Sequence, residues 1–334
     1  MQSKLPIIEK IETWIGTKRF HSILDWANKT TLPGFGGVPI HDLVVFLYHE
    51  SRRESIMNRV NSMAYTFLLA LFPFFIFMFT LIPILPIKGF KTALFKELQQ
   101  FIPDAVQPFL FRTLEDVISI PHTGLLSISF LTALYFSTNA IHTMMRGFEK
   151  YHPSTFFKRN FFQKRLDALR LVFLVALLVI TSVVILIFGN EIWNFLVNYF
   201  SKKKIVIVKN DLVIRFLFLK KYSTVVFTIF RWAISIILFQ CIYFLIYRYG
   251  PSVKRKFNFF APGTSMATLI SIIISLIFQY SINHWGSFHL IYGPIGALII
   301  ILLYIQLNCF IIITCFEINA AIAVNKDLKL IRKD

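Results

Sequence analysis

Six stretches of this chain are too long and too apolar for a water-soluble core: residues 63–85, 124–144, 171–188, 227–247, 260–282 and 294–324. A helix needs about 20 apolar residues to cross the hydrocarbon layer. Lipid offers no hydrogen bonds, so a backbone in it must satisfy its own polar groups, and helix is the form available to a single isolated run. The predicted fold is therefore all-α, a polytopic integral membrane helical bundle with six transmembrane helices. An even number of spans puts both termini on one side.

Charge then gives that side a direction. In a soluble protein a net charge of +18 would point to nucleic acid. Here the charge sits in loops between spans, so nucleic acid is not an expected partner. With the N-terminus inside, the inner segments carry 23 Lys and Arg and the outer ones 11. Cytoplasmic loops hold such an excess, which predicts both termini in the cytoplasm. The basic run "SKKKIVIVKN" (201–210) falls outside in this scheme; long loops weigh less in the rule.

Residues 1–62 form a cytoplasmic or interfacial helical segment, residues 63–324 the membrane domain, and residues 325–334 a basic cytoplasmic tail. Within the first, "VPIHDLVVFLYHESRRESIMNRV" places Leu43, Phe46 and Leu47 opposite charged residues. It reads as an amphipathic helix lying on the membrane or capping the bundle. The first outer loop holds "GFKTALFKELQQFIP" and "DAVQPFLFRTLEDVISI", two further short helices parted by Pro103.

Polar residues inside the spans are the candidates for function, because they are expensive in lipid. The second span ends in a stripe of Tyr135, Thr138, Asn139, His142 and Arg146 at helical spacing. It suits the wall of a polar cavity. The fifth carries Thr264, Thr268, Ser271, Ser275, Gln279 and Asn283. Small hydroxylic residues are common at helix contacts, so packing is the first expectation there. Glu317, near the inner end of the sixth span, is expected to pair with Arg146 or Arg248. Arg231 lies in the outer part of the fourth span; Glu191, or the phosphate of a lipid or substrate, is its expected partner. The entrance "WGSFHLIYGPIG" holds Gly286, Gly293 and Gly296, which permit tight turns, and Pro294, which suits a first helical turn. A plain hairpin is the simpler reading of it. No catalytic residue, metal ligand or cofactor is expected. The chain lacks a phosphate-cradling G-x-x-x-x-G-K, an H-E-x-x-H and a Cys-x-x-Cys.

Six motifs in order resemble the YihY/BrkB family of bacterial inner-membrane proteins, once labelled ribonuclease BN-like. "AYTFLLALFP", ending at Pro73, resembles its first span, and "STNAIHTMMRGFEKYH" the end of its second. "RW" at Arg231 and Trp232 resembles its fourth span. "YRYGPSVKRKFNFFAPG", ending at Pro262 and Gly263, resembles the loop where Tyr-Arg and a later Pro-Gly recur. "WGSFHLIYGPIGALI" resembles its glycine signature, with Phe288 where tyrosine is usual. "FEINA" resembles its closing A-E-[LI]-N-A, with Phe316 replacing a small residue. The resemblance implies six spans, cytoplasmic termini and a bacterial inner (plasma) membrane location. It also implies transport or accommodation of an anionic or amphipathic envelope substrate, with membrane lipids as partners. The competing expectation is a scaffold that binds an envelope or membrane protein through residues 86–123. A nuclease would need clustered His and Asp ligands, and the sequence has none.

Overall fold

The computed structural model describes residues 25–31, 35, 37–53, 55–81, 123–150, 152–202, 223–284 and 288–331. Seven long helices occupy them: α1 (Ile40–Arg53), α2 (Ile56–Leu81), α3 (Thr123–Gly147), α4 (Phe161–Lys202), α5 (Ser223–Tyr249), α6 (Pro262–His284) and α7 (Phe288–Ile331). No extended strand occurs among the described residues. The protein is an all-helical polytopic bundle. Five segments are long and apolar enough to span: Ile56–Met78, Gly124–Gly147, Trp232–Tyr249, Pro262–Ser281 and Leu298–Leu328. The expected third span, residues 171–188, falls inside the 42-residue α4. The expected outer-loop helices of residues 86–123 lie almost entirely outside the described residues.

Each of α2 to α7 packs on its neighbours in sequence, and α7 returns to α2, so six helices close a ring. The amphipathic segment forms α1 as expected, and α1 packs on α7. Its Phe46 lies against the ring core and stacks near the His152 ring at 5.8 Å. The first span begins earlier than the hydropathy suggests: α2 starts at Ile56, and Val60 and Met63 are already core residues. A helix continues through Arg59 because that side chain is paired inside the bundle, as described below. Pro73 lies within α2; lacking an N–H, it leaves the carbonyl one turn back without its helical donor.

The fully buried core gathers at one end of the ring, where α2, α4 and α6 begin and α3, α5 and the spanning part of α7 end. We call it the sealed end. Phe316 of α7 is its centre, with Phe148 at 4.4 Å and Phe156, Tyr247 and Phe257 each at 6.5 Å between ring centroids. The bulky side chain that replaces a small residue in "FEINA" thus fills the middle of the bundle. Two connecting loops close over it. Phe156 and Val253 form an antiparallel bridge, flanked by backbone bonds from Phe157 to Ser252 and from Lys254 to Thr155.

Away from this end the buried stripe fades. On α4 no described side chain after Leu171 is fully buried, on α5 none before Gln240, on α6 none after Ser271. On α7 the described residues 298–308 contain none either. Among the described residues, α2 and α3 keep buried positions farther out at Ala70, Thr80, Ser129 and Ala133, and α7 at Gly296.

The α6 stripe is used for packing through Ser275, along about its first four turns. Thr268 donates to Gln240 Oε1 at 2.7 Å, and Gln240 Nε2 donates to the Phe259 carbonyl at 2.8 Å. Ser271 and the Tyr243 hydroxyl share a short hydrogen bond, and Ser275 meets the Tyr304 hydroxyl at 2.9 Å. Polar groups in lipid seek partners on adjacent helices, and these do.

The glycine-rich entrance differs from expectation. Gly293, Pro294 and Gly296 lie inside α7, which begins at Phe288. α6 ends at His284 and α7 begins at Phe288; residues 285–287, which include Gly286, lie outside the described residues. Pro294 is therefore an interior helix proline, not a first-turn one.

Candidate functional site

Two clusters of charge sit at the sealed end. The first is buried. Glu317 on α7 is 1% exposed, and its Oε1 accepts both Arg59 Nη1 at 2.8 Å and Lys150 Nζ at 2.7 Å. Arg59 Nη1 also donates to the Gly147 carbonyl at 2.8 Å, at the last turn of α3. One carboxylate thus ties together the start of α2, the end of α3 and α7. The partners differ from the expected Arg146 and Arg248. The reason is the ring order: α7 borders α2 and α6, so Glu317 looks toward α2, while Arg146 faces the opposite side of α3. Arg248 turns to the loop after α5, where it donates to the Phe257 carbonyl at 3.4 Å, with its guanidinium 5.4 Å above the Phe244 ring of its own helix. Among the described residues, Glu317 Oε2 and Arg59 Nε and Nη2 are buried without a hydrogen-bond partner.

Asn319, two residues after Glu317, explains another motif. Asn319 Oδ1 accepts from the Gly263 N–H at 2.8 Å, capping the first turn of α6. A Cβ on Gly263 would lie 2.1 Å from the Cys315 carbonyl oxygen. Pro262-Gly263 and the Asn of "FEINA" are therefore one contact: Pro opens the helix, and Gly lets it touch α7.

The second cluster lines a cleft open to the surface. His142 and Arg146, one turn apart on α3, form one wall with Met145. Glu149, Arg159 and Lys164, from the α3–α4 connection and the first turn of α4, form another, and the loop after α5 supplies Gly250 and Ser252. Arg159 has a structural duty. It donates to the Gly250 and Pro251 carbonyls at 2.9 Å each and to Tyr249 at 3.3 Å, capping the last turn of α5. Its Nε lies 3.3 Å from Asp167. Burial pulls the Arg159 guanidinium below the usual arginine value, with Asp167 and Glu149 opposing that shift. Lys164 pairs with Glu149. Arg146 is exposed, and neither it nor His142 has a side-chain partner among the described residues.

The candidates read from the sequence therefore separate. His142 and Arg146 share the cleft, and Asn139 lies one turn deeper on α3, half-buried. Glu317 belongs to the buried cluster. Arg231 lies on α5, toward the far end, with its side chain, like that of Glu191, outside what the structure describes. Sequence reasoning missed Arg59, Lys150 and Arg159, because all three fall outside the apolar runs, where a cation draws no notice.

The Virulence factor BrkB family matches residues 47–333. A curated relative from Bacillus subtilis (strain 168), named "Putative ribonuclease-like protein YfkH", is 25% identical over 283 residues, covering 85% of this chain and 94% of its own. No solved structure matches. With a family match running from α1 almost to the C-terminus, this membrane-spanning bundle belongs to the BrkB virulence-factor family.

Proposed function

We propose that the protein is a six-span bundle of the bacterial inner membrane that transports or accommodates an anionic or amphipathic envelope substrate, such as a lipid. The observation that carries this reading is the uneven packing. A scaffold gains from being solid along its whole length. Here α4 to α7 are packed tight at the sealed end, and the described side chains of α4 to α6, with residues 298–308 of α7, lose the fully buried stripe beyond it. Space between helices at the far end is what an amphiphile needs. α4 is the sixth span in this reading, because it fills the ring position between α3 and α5.

The sealed end faces the cytoplasm, since the basic segments 145–170 and 248–259 lie there. Arg231 then sits in the outer half of α5, where a guanidinium must meet protein, water or an anion. It holds the anionic head of the substrate. No enzymatic step is part of the reading. The relative's name carries ribonuclease-like chemistry, but this sequence has no catalytic or metal-ligand motif to perform it.

The test is the lipid that copurifies in mild detergent, identified by native mass spectrometry. Wild type is expected to retain an anionic amphiphile, Arg231→Lys less of it, and Arg231→Ala least. Lysine keeps the charge and loses the planar fork. A wild type without anionic amphiphile sinks the reading in favour of a scaffold. Equal retention by Arg231→Ala sinks the role of Arg231.

A further inference from the structure

We propose that the cleft at the sealed end is a second, separate anion site, which takes the phosphate of an anionic lipid headgroup from the leaflet on that side. It shares its ligand chemistry with the reading above but neither its place nor its residues.

The charge of the cleft is unbalanced. Arg146, Arg159 and Lys164 line it, against Glu149 alone. Arg159 is spent on backbone carbonyls and Asp167, and Lys164 on Glu149. Arg146 remains exposed and unpaired among the described residues, with His142 one helical turn away on the same wall. A guanidinium free to present its fork, beside an imidazole and an ammonium, matches a phosphate bearing at least one negative charge.

The depth is that of a headgroup. His142 and Arg146 lie in the last two turns of the span Gly124–Gly147, and Gly250 follows the span Trp232–Tyr249 directly. Aromatic side chains neighbour the cleft residues along the chain: Phe161 and Phe162, in the first turn of α4 with Lys164, are 64% and 83% exposed, and Tyr249, next to Gly250, is exposed as well. An exposed Tyr at a span boundary suits the membrane interface, and exposed Phe rings there suit the headgroup–acyl boundary. The Arg165 guanidinium sits 5.7 Å above the Phe161 ring and adds another positive charge near His142. A soluble phosphate ester would use the cations but not the rings. A lipid uses both.

Glu149 makes the proposal sharp. It occupies Lys164 and repels an anion, so it competes with the phosphate for the same ammonium. Removing its charge frees Lys164 and strengthens binding.

The experiment titrates the purified full-length protein with phosphatidylglycerol and, separately, phosphatidylcholine, read by native mass spectrometry. Phosphatidylglycerol is expected to bind in preference. Arg146→Gln weakens it roughly tenfold, the usual scale for losing a charge-assisted pair. Glu149→Gln strengthens it severalfold. Asp42→Asn, the same change of net charge on α1, leaves it unchanged. A glycerol 3-phosphate arm separates the sources. Displacement of the lipid with the same Arg146 dependence keeps the phosphate site and assigns it to a soluble ester. Equal phosphatidylglycerol binding by wild type and a folded Arg146→Gln overturns the proposal. So does a Glu149→Gln that fails to gain affinity, which holds even if Arg146→Gln does not fold.

Discussion

Glu317 shows how a carboxylate survives inside a membrane bundle. Its desolvation is offset by two cations on one oxygen, and these close three elements around the aromatic plug of Phe316. The members are not equivalent. Glu317→Ala takes the shared carboxylate from two buried cations, and removing one member of a buried ion pair costs about 3–5 kcal/mol. Arg59→Ala leaves the Lys150–Glu317 pair intact and neutral, so its cost is smaller. Glu317→Asp keeps the charge and shortens the reach. The thermal midpoint in detergent is expected to fall in the order Glu317→Ala, then Arg59→Ala and Glu317→Asp, all below wild type. An unchanged midpoint for Glu317→Ala would remove the cluster from the account of stability.

At the scale of helices, contact between α6 and α7 is set by one glycine. The ideal Cβ position on Gly263 overlaps the Cys315 carbonyl and the Asn319 amide. Gly263→Ala must therefore push the helix start away from α7 and break the Asn319 cap. Asn319→Ala loses only the cap, leaving a buried N–H unpaired at about 1–3 kcal/mol. Gly263→Ala is expected to be the more damaging of the two, seen as a larger drop in thermal midpoint or in folded yield. Equal effects would mean that close approach is not what the glycine provides. These helices show what was legible in the chain. Apolar runs located the bundle, because lipid enforces length and composition directly. The motif at Pro262 and Gly263 was visible, but not its partner, since nothing local links residues 263 and 319. The partners of Glu317 were misread for the same reason. A span's inner level can be counted from sequence, while the face it presents depends on which helices close the ring. Gly293, Pro294 and Gly296 misled in another way: turn-favouring residues can also lie within a helix, here in the turns of α7 that precede the span Leu298–Leu328.

For the whole molecule, one arrangement joins charge and packing. The end that carries the basic loops is also the end closed by Phe316, the Glu317 cluster and the bridged loops. If the basic loops are cytoplasmic, the protein is shut toward the cytoplasm, and the described side chains of α4 to α6 lose their buried stripe toward the outside. Both termini then belong on the cytoplasmic side: α1 caps the ring core there, and α7 continues past the plug to Asp327, which accepts from Thr155 at 2.8 Å. The prediction uses single cysteines and an impermeant thiol reagent in intact cells, in a background where Cys241, Cys309 and Cys315 are replaced by Ala. Cysteines in place of Lys4 and Lys333 are expected to stay unlabelled until the membrane is opened, and one in place of Lys96 to be labelled at once. Labelling at Lys333 with protection at Lys96 would invert the protein. The tight end would then face outward, and the half where that stripe is lost would open to the cytoplasm, so the same architecture would have to load its substrate from the opposite side.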